Sequence, residues 1–222
     1  MIAFFITGSD TGCGKTTVGV VLARAARRLR RRVRVLKPVE TGCAERDGEL
    51  QPADALALAV AAQDTRELDR VCPYRLARAA APEVAARAAG IVIEPEQIER
   101  AFREASRTAD LVLVEGAGGL VVPITSDLDM AGLAERLSLP LLLVVRARLG
   151  TLNHTLLSLE AAQARGLEVA GVVVSHDTPE LSGDERANLD ALVARLPSPF
   201  LGELPFAAKE PPAALLSRAV RR

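Results

Sequence analysis

Five runs rich in valine, isoleucine and leucine recur along this 222-residue chain, at residues 2–7, 33–39, 110–115, 140–146 and 169–175. They do not alternate apolar with polar, as a strand with one wet face does; near-continuous hydrophobicity suits strands covered on both sides. Between them lie amphipathic, Ala-rich stretches with helical spacing, near residues 15–30, 53–62, 95–108, 129–138, 151–165 and 184–196. This alternation predicts an α/β fold, a three-layer sandwich whose mainly parallel sheet is joined by right-handed crossovers and covered by helices on both faces. With 49% hydrophobic residues, the whole chain, 1–222, is expected to form one domain. The segment from Pro205 to Arg222 is expected to be a surface connection followed by a short helix. In such a sheet ligands sit beyond the carboxyl ends of the strands, so the residues that follow each strand are the candidates for chemistry.

The charge balance narrows the partners. Acidic and basic residues number 28 each, so no whole-molecule field favours nucleic acid or an anionic membrane. The cluster Arg27, Arg28, Arg30, Arg31 and Arg32 reads as the solvated, dipole-complementing end of the first helix. Aromatic residues make up 3% of the chain, too few for a stacking platform. "MIAFFITG" lacks a basic flank and reads as a first strand, and no window reaches 18 uninterrupted apolar residues, so neither a leader nor a membrane span is expected. Cys13, Cys43 and Cys72 have no metal-ligand spacing, and their odd number suits reduced thiols in the cytoplasm.

Of the 28 basic residues only Lys15, Lys37 and Lys209 are lysines. Where arginine serves as the general cation, a retained lysine suggests a compact ammonium beside a phosphate. Lys15 sits in "GSDTGCGKTT", directly after the first apolar run. The pattern GxxxxGK[ST] would place its first glycine at position 9, which is Ser9; counting from Gly8 leaves five residues before Gly14 instead of four. A strand, a glycine loop and Lys-Thr-Thr at a helix start nonetheless present backbone N–H groups to a phosphate, with Lys15 at the terminal phosphates and Thr16 placed for Mg2+.

Lys37 ends the second run in "VLKPVETG", where Pro38 biases its backbone toward the extended region; a lysine there points into the crevice or snorkels, and the scarcity of lysine favours the crevice. Asp54 opens a helix in "PADALALAV", where a helix-start acid needs no further explanation. In "DLVLVEGAGG" four apolar residues precede Glu115 as in a Walker B segment, and Gly116, Gly118 and Gly119 let backbone approach a ligand. Thr16, Glu115 and Asp54 together form a candidate metal set. Gly150, Thr151, Asn153 and His154 open a further helix whose free N–H groups suit a carboxylate. His154 and His176 also have plain readings as a helix-face and a post-strand histidine.

Taken in order, "TGSDTGCGKT", "KPVETG", "DALAL", "VEGAGGLVVPI", "LGTLNHTLL", "AGVVVS" and "GELPF" resemble the dethiobiotin synthetases over essentially the whole chain. The resemblance implies a single-domain P-loop NTPase-like fold. It also implies a reaction of 7,8-diaminononanoate, CO2 and ATP that forms a carbamate, phosphorylates it and closes a ureido ring, giving dethiobiotin, ADP and phosphate. It implies Lys37, Lys15 and Thr11 as catalytic groups, and Mg2+ on Thr16, Asp54 and Glu115. Nucleotide contacts would come from Gly12, Cys13, Gly14, Lys15, Thr16, Thr17, Glu115, Gly118, Ser175, Glu203 and Pro205. The diamine would meet Thr11, Lys37, Thr41, Gly116, Ala117 and Gly118, with Gly150, Thr151 and Asn153 reaching its carboxylate from the other subunit of a homodimer. Two positions depart from the family pattern. Gly12 stands where many members carry an acid, and Ser175 stands where an asparagine commonly reads adenine, so other nucleoside triphosphates are expected to substitute for ATP. The alternative reading is a P-loop ATPase switch of the partitioning or division-site type, but those carry a second lysine early in the loop and none precedes Lys15 here. A corrinoid amidoligase would need a glutaminase domain for which the chain has no room, and a non-catalytic nucleotide-binding module is separated from the enzyme by a product assay.

Overall fold

The structure is a computed structural model that describes residues 1–220; Arg221 and Arg222, at the end of the expected tail helix, lie outside the described residues. In chain order the elements are β1 (Ile2–Gly8), α1 (Lys15–Arg28), β2 (Val33–Leu36), β3 (Val39–Thr41), β4 (Ala44–Arg46), β5 (Glu49–Gln51), α2 (Ala53–Ala62), α3 (Leu68–Val71), β6 (Tyr74–Leu76) and α4 (Pro82–Ala89). They continue with α5 (Pro95–Thr108), β7 (Leu111–Gly119), α6 (Met130–Arg136), β8 (Leu141–Arg146), α7 (Thr151–Ala164), β9 (Val169–Ser175), α8 (Gly183–Val193), β10 (Phe200–Leu204) and α9 (Ala213–Val220).

Six strands form one sheet in the order β10-β9-β8-β1-β7-β2, and every neighbouring pair is parallel. Successive side chains on each strand enter opposite layers, as the period of two requires. Phe4 and Ile6 of β1, with Leu111 and Leu113 of β7 and Leu142 and Val144 of β8, pack with α1, α2 and α9. Phe5, Val112, Val114 and Leu141 pack on the other face with α5 and α6. Leu143, Val145, Val172 and Val174 continue that face under α7 and α8. The expected three layers are therefore present, and the near-continuous apolar runs have the cause the sequence suggested: the inner strands, such as β8 and β9, are covered on both sides. A fully buried leucine such as Leu22 of α1 contributes about 1.5–3 kcal/mol relative to exposure.

Three local expectations need correction. The run at 33–39 is two strands: β2 stops at Leu36, and after Lys37 and Pro38 the chain starts β3, which pairs with β6 in a separate two-stranded sheet. Proline has no N–H for the ladder, so the strand cannot continue through position 38. The segment from 63 to 90, where no element was expected, holds α3, β6 and α4; the first two are four and three residues long, too short for a periodicity to register. β7 also continues four residues past Glu115, through the glycines to Gly119, with a register shift against β1 between Ile6 and Gly8. The basic cluster behaves as expected: α1 ends at Arg28, and Arg28, Arg30 and Arg32 are exposed. Among the described residues no helix is long and apolar enough to cross a membrane. Cys13, Cys43 and Cys72 are free and buried.

Candidate active site

β1 delivers the chain into the loop 9–14 at the carboxyl edge of the sheet, where Ser9 N donates to Val144 O on β8 at 3.1 Å. Gly14 takes φ 96°, a left-handed conformation that costs a residue with a Cβ roughly 1–2 kcal/mol, and it starts α1 with no side-chain cap. The first N–H groups of α1 are thus left without a side-chain partner and are available to an anion. Lys15 is buried, and its Nζ donates to Asp10 O at 3.0 Å, so the ammonium lies folded under the loop that would cradle a phosphate. Gly12 also has positive φ, 69°, and a Cβ built there would meet nothing within 4 Å. A side chain there would meet open space but would be held in left-handed backbone, which favours glycine.

The second part of the site comes from strand register. β2 lies beside β7 with Leu36 opposite Val114, so Lys37 and Glu115, one residue further on each strand, arrive side by side. Lys37 Nζ donates to Glu115 Oε1 at 2.5 Å and to Asp54 Oδ2 at 2.8 Å. Glu115 Oε1 also accepts from the Thr16 hydroxyl at 2.8 Å, which ties the β7 acid to the phosphate loop. Burial disfavours the Lys37 ammonium, but Glu115 and Asp54 outweigh it and hold the pKa above the ordinary lysine value. Burial likewise raises Asp54, yet Lys37 outweighs it and the carboxyl titrates below the ordinary aspartate value. Glu115 is fully buried and its second oxygen, Oε2, has no hydrogen-bond partner. Oε2 lies 3.7 Å from where a Cβ on Gly19 would stand, whereas Oε1, which Thr16 and Lys37 share, is the oxygen nearest the loop; Thr16, Asp54 and Glu115 together offer the oxygen donors that a hard divalent cation takes. Among the described residues no three His, Cys, Asp or Glu side chains gather into a metal cluster, so phosphate and water oxygens would have to complete the shell.

A cavity of about 760 Å³ opens over these groups. It brings together eleven of the residues singled out in the sequence: Thr11, Gly12, Gly14, Lys15, Thr16, Thr17, Lys37, Thr41, Asp54, Ala117 and Gly118. Glu115 lies beneath, hydrogen-bonded to two of them. Cys13 belongs to the core, and a Cβ on Gly116 would run into Phe5 and Met130; neither residue lines the cavity. Ser175, buried at the end of β9, lies so close to Gly14 that a Cβ on that glycine would collide with it. Glu203 does not line the cavity: its carboxylate accepts from Arg186 at 2.9 and 3.0 Å and pairs with His176 Nε2 at 2.8 Å, and these contacts pull its pKa down against a smaller effect of burial. Pro205 is exposed just past β10.

The helix start at 150–153 is absent from this cavity. Gly150 takes φ 90°, the Thr151 hydroxyl donates to Arg146 O at 2.5 Å, and Asn153 is exposed, as is His154. Sequence reasoning missed Glu40, the apolar wall Ala79 to Pro82, and Val122, all of which line the cavity. Glu40 stood inside the quoted "KPVETG" and could have been found by asking what a lone acid does between Val39 and Thr41. The wall at 79–82 carries no chemical signal in the sequence.

An AAA domain family matches residues 3–211. The chain is 43% identical over 212 residues to an ATP-dependent dethiobiotin synthetase of Aromatoleum aromaticum, covering 95% of this chain and 93% of that protein. It is 43% identical over 216 residues to one from Pseudomonas aeruginosa, covering 97% and 94%. Among solved structures, the MinC:MinD cell division protein complex of Aquifex aeolicus superposes with TM-score 0.58 at 16% identity, covering 99% of this chain and 94% of that one. A ParA family ATPase from Chlorobium tepidum gives 0.54 at 14%, covering 98% and 90%. At those identities the structural likeness speaks for the P-loop fold alone, whereas the sequence likeness spans nearly the full length of the chain. On that basis the chain belongs to the ATP-dependent dethiobiotin synthetase family.

Proposed function

We propose that this chain joins CO2 to one amine of 7,8-diaminononanoate, transfers the γ-phosphoryl group of ATP to the resulting carbamate oxygen, and lets the neighbouring amine displace phosphate from the activated carbon. The products are dethiobiotin, ADP and phosphate. The observation that carries the reading is Lys37: a buried ammonium bridging Asp54 and Glu115 in the wall of a cavity that also opens onto the phosphate loop. Each stage adds negative charge to one crevice, so positioning and electrostatic stabilisation are the main tasks of the protein.

In this reading Lys15 and the N–H groups of the loop and first turn of α1 hold the phosphates, with Thr17 beside them. Lys37 neutralises the carbamate and the phosphoryl group in transit, and Thr11 and Thr41 orient the diamine. Thr16, Asp54 and Glu115 would hold Mg2+, which would supply positive charge against that of the phosphates. Ala79 to Pro82 and Val122 give the aliphatic chain an apolar wall. The helix start at Gly150, Thr151 and Asn153 lies outside the cavity of its own chain, and a homodimer in which the partner supplies it for the substrate carboxylate accounts for that placement. Leu149, 86% exposed beside this helix start, is the kind of apolar residue such an interface would cover. Buried, unpaired cysteines suit a cytoplasmic enzyme.

Incubation with the diamine, bicarbonate, Mg2+ and ATP, followed by mass spectrometry, tests the reading: dethiobiotin is expected, and tight nucleotide binding without product would refute it. The switch-ATPase alternative gains nothing from the likeness to MinD and ParA, which is a likeness of fold.

A further inference from the structure

We infer that Glu40 is a positioning residue that holds Asp54 in place for the metal; the inference rests on the proposed assignment of Asp54 to that role. Glu40 projects from β3 and is buried, and its two oxygens go to one target: Oε1 accepts from the Asp54 backbone N at 3.0 Å and Oε2 from Ala55 N at 2.9 Å. These N–H groups belong to the first turn of α2, whose preceding residue, Pro52, makes no side-chain cap. Glu40 therefore acts as an N-cap delivered from another element, 14 and 15 residues back in the chain, where a carboxylate meets both the orphan donors and the positive end of the helix.

What this does for the site follows from exposure. Glu115 and Lys37 are fixed by burial, but the Asp54 side chain is 43% exposed and sits at a helix start, where frayed backbone would carry the carboxylate away. With its backbone N–H held by Glu40, Asp54 presents Oδ2 to Lys37 at 2.8 Å. Burial raises the Glu40 carboxyl pKa, and the two N–H groups offset part of that rise. Residues that orient a metal ligand without touching the metal typically change affinity by about 10–100-fold when removed.

The test is a binding cycle that needs no turnover. Mn2+ binding to the full chain, saturated with a non-hydrolysable ATP analogue, is measured by electron paramagnetic resonance for wild type, Glu40→Ala, Glu40→Gln, Asp54→Ala and the double variant. Glu40→Ala is expected to weaken Mn2+ by about tenfold, and Glu40→Gln, which keeps one acceptor, by less. Because Glu40 acts through Asp54, removing it in the Asp54→Ala background is expected to change Mn2+ affinity less than about twofold. A merely structural cap would lower the melting temperature and leave Mn2+ affinity unmoved, and that result overturns the inference, as do effects that multiply in the double variant. If Glu40→Ala fails to fold, the cycle is run with Glu40→Gln under the same criteria. No diamine is present, so absence of dethiobiotin in the product assay would refute the proposed reaction without touching this result.

Discussion

Replacing Lys37 by alanine removes the ammonium that Asp54 and Glu115 share. The Glu115 side chain is 1% exposed and that of Asp54 43%, so the larger penalty falls on Glu115, which keeps the Thr16 hydroxyl on Oε1 and has no partner on Oε2. Removing one side of a buried pair costs about 3–5 kcal/mol, and the exposure of Asp54 places this case near 3 kcal/mol. For a domain of this size that corresponds to a fall in Tm of about 6–12 °C. If Mg2+ sits where proposed, Mg2+ with nucleotide would bring a cation to the same carboxylates, so the fall is expected to shrink when both are present. Turnover should drop by about 10²–10³-fold or more, as for loss of one preorganised group facing transition-state charge, while ADP affinity, carried by the loop and Lys15, stays within about threefold of wild type. Thermal unfolding with and without Mg2+ and nucleotide, ADP titration calorimetry and product mass spectrometry read these quantities. A Tm change under about 2 °C without ligands would refute the ion-pair reasoning; a loss of ADP affinity equal to the loss of turnover would refute the division of labour between Lys15 and Lys37.

Other perturbations probe separate parts of the structure. Asp64, buried between α2 and β2, accepts from Arg34 at 2.9 Å and from Arg66, and although burial raises its pKa, Arg66 and the Val35 N–H bring the net value below the ordinary aspartate range. A depressed folded-state pKa stabilises above the unfolded value and the gain is lost as pH falls through the folded one, so Asp64→Asn should cost about 3 kcal/mol at neutral pH in urea unfolding and progressively less as pH falls below about 4. Gly14→Ala forces a Cβ into left-handed backbone and against Ser175, and is expected to abolish measurable ADP binding while a folded circular dichroism spectrum persists. Initial rates with ATP, CTP, GTP and UTP should differ by less than about a thousandfold, because the Ser175 hydroxyl cannot reproduce an amide's paired donor and acceptor; a larger preference for ATP would refute that expectation.

The legible part of the fold was the part written locally. Strand positions such as 169–175 show in continuous apolar composition because a strand buried on both faces needs it along its own length, and the phosphate loop shows because its glycines and Lys-Thr sit within a few residues of one another. Elements of three or four residues, such as β6 and α3, hold their conformation through packing with distant residues and leave no period of their own. Pro38 was visible, but it was read as a bias on Lys37 rather than as the end of β2.

The candidate site divides in the same way. Lys15, Thr16 and the Walker B-like Glu115 follow from residue type and place in a motif, because phosphate and metal chemistry admit few side chains. That Lys37 meets Glu115 across 78 positions follows from Leu36 pairing with Val114, a register set by the packing of two strands between helices. That Glu40 holds Asp54 depends on β3 leaving the main sheet and turning its acid toward α2. Composition, spacing and the family resemblance named the chemical groups; their distances, their shared proton donors and the unpartnered oxygen on Glu115 arise from long-range packing, which fixes positions that no short stretch of chain encodes.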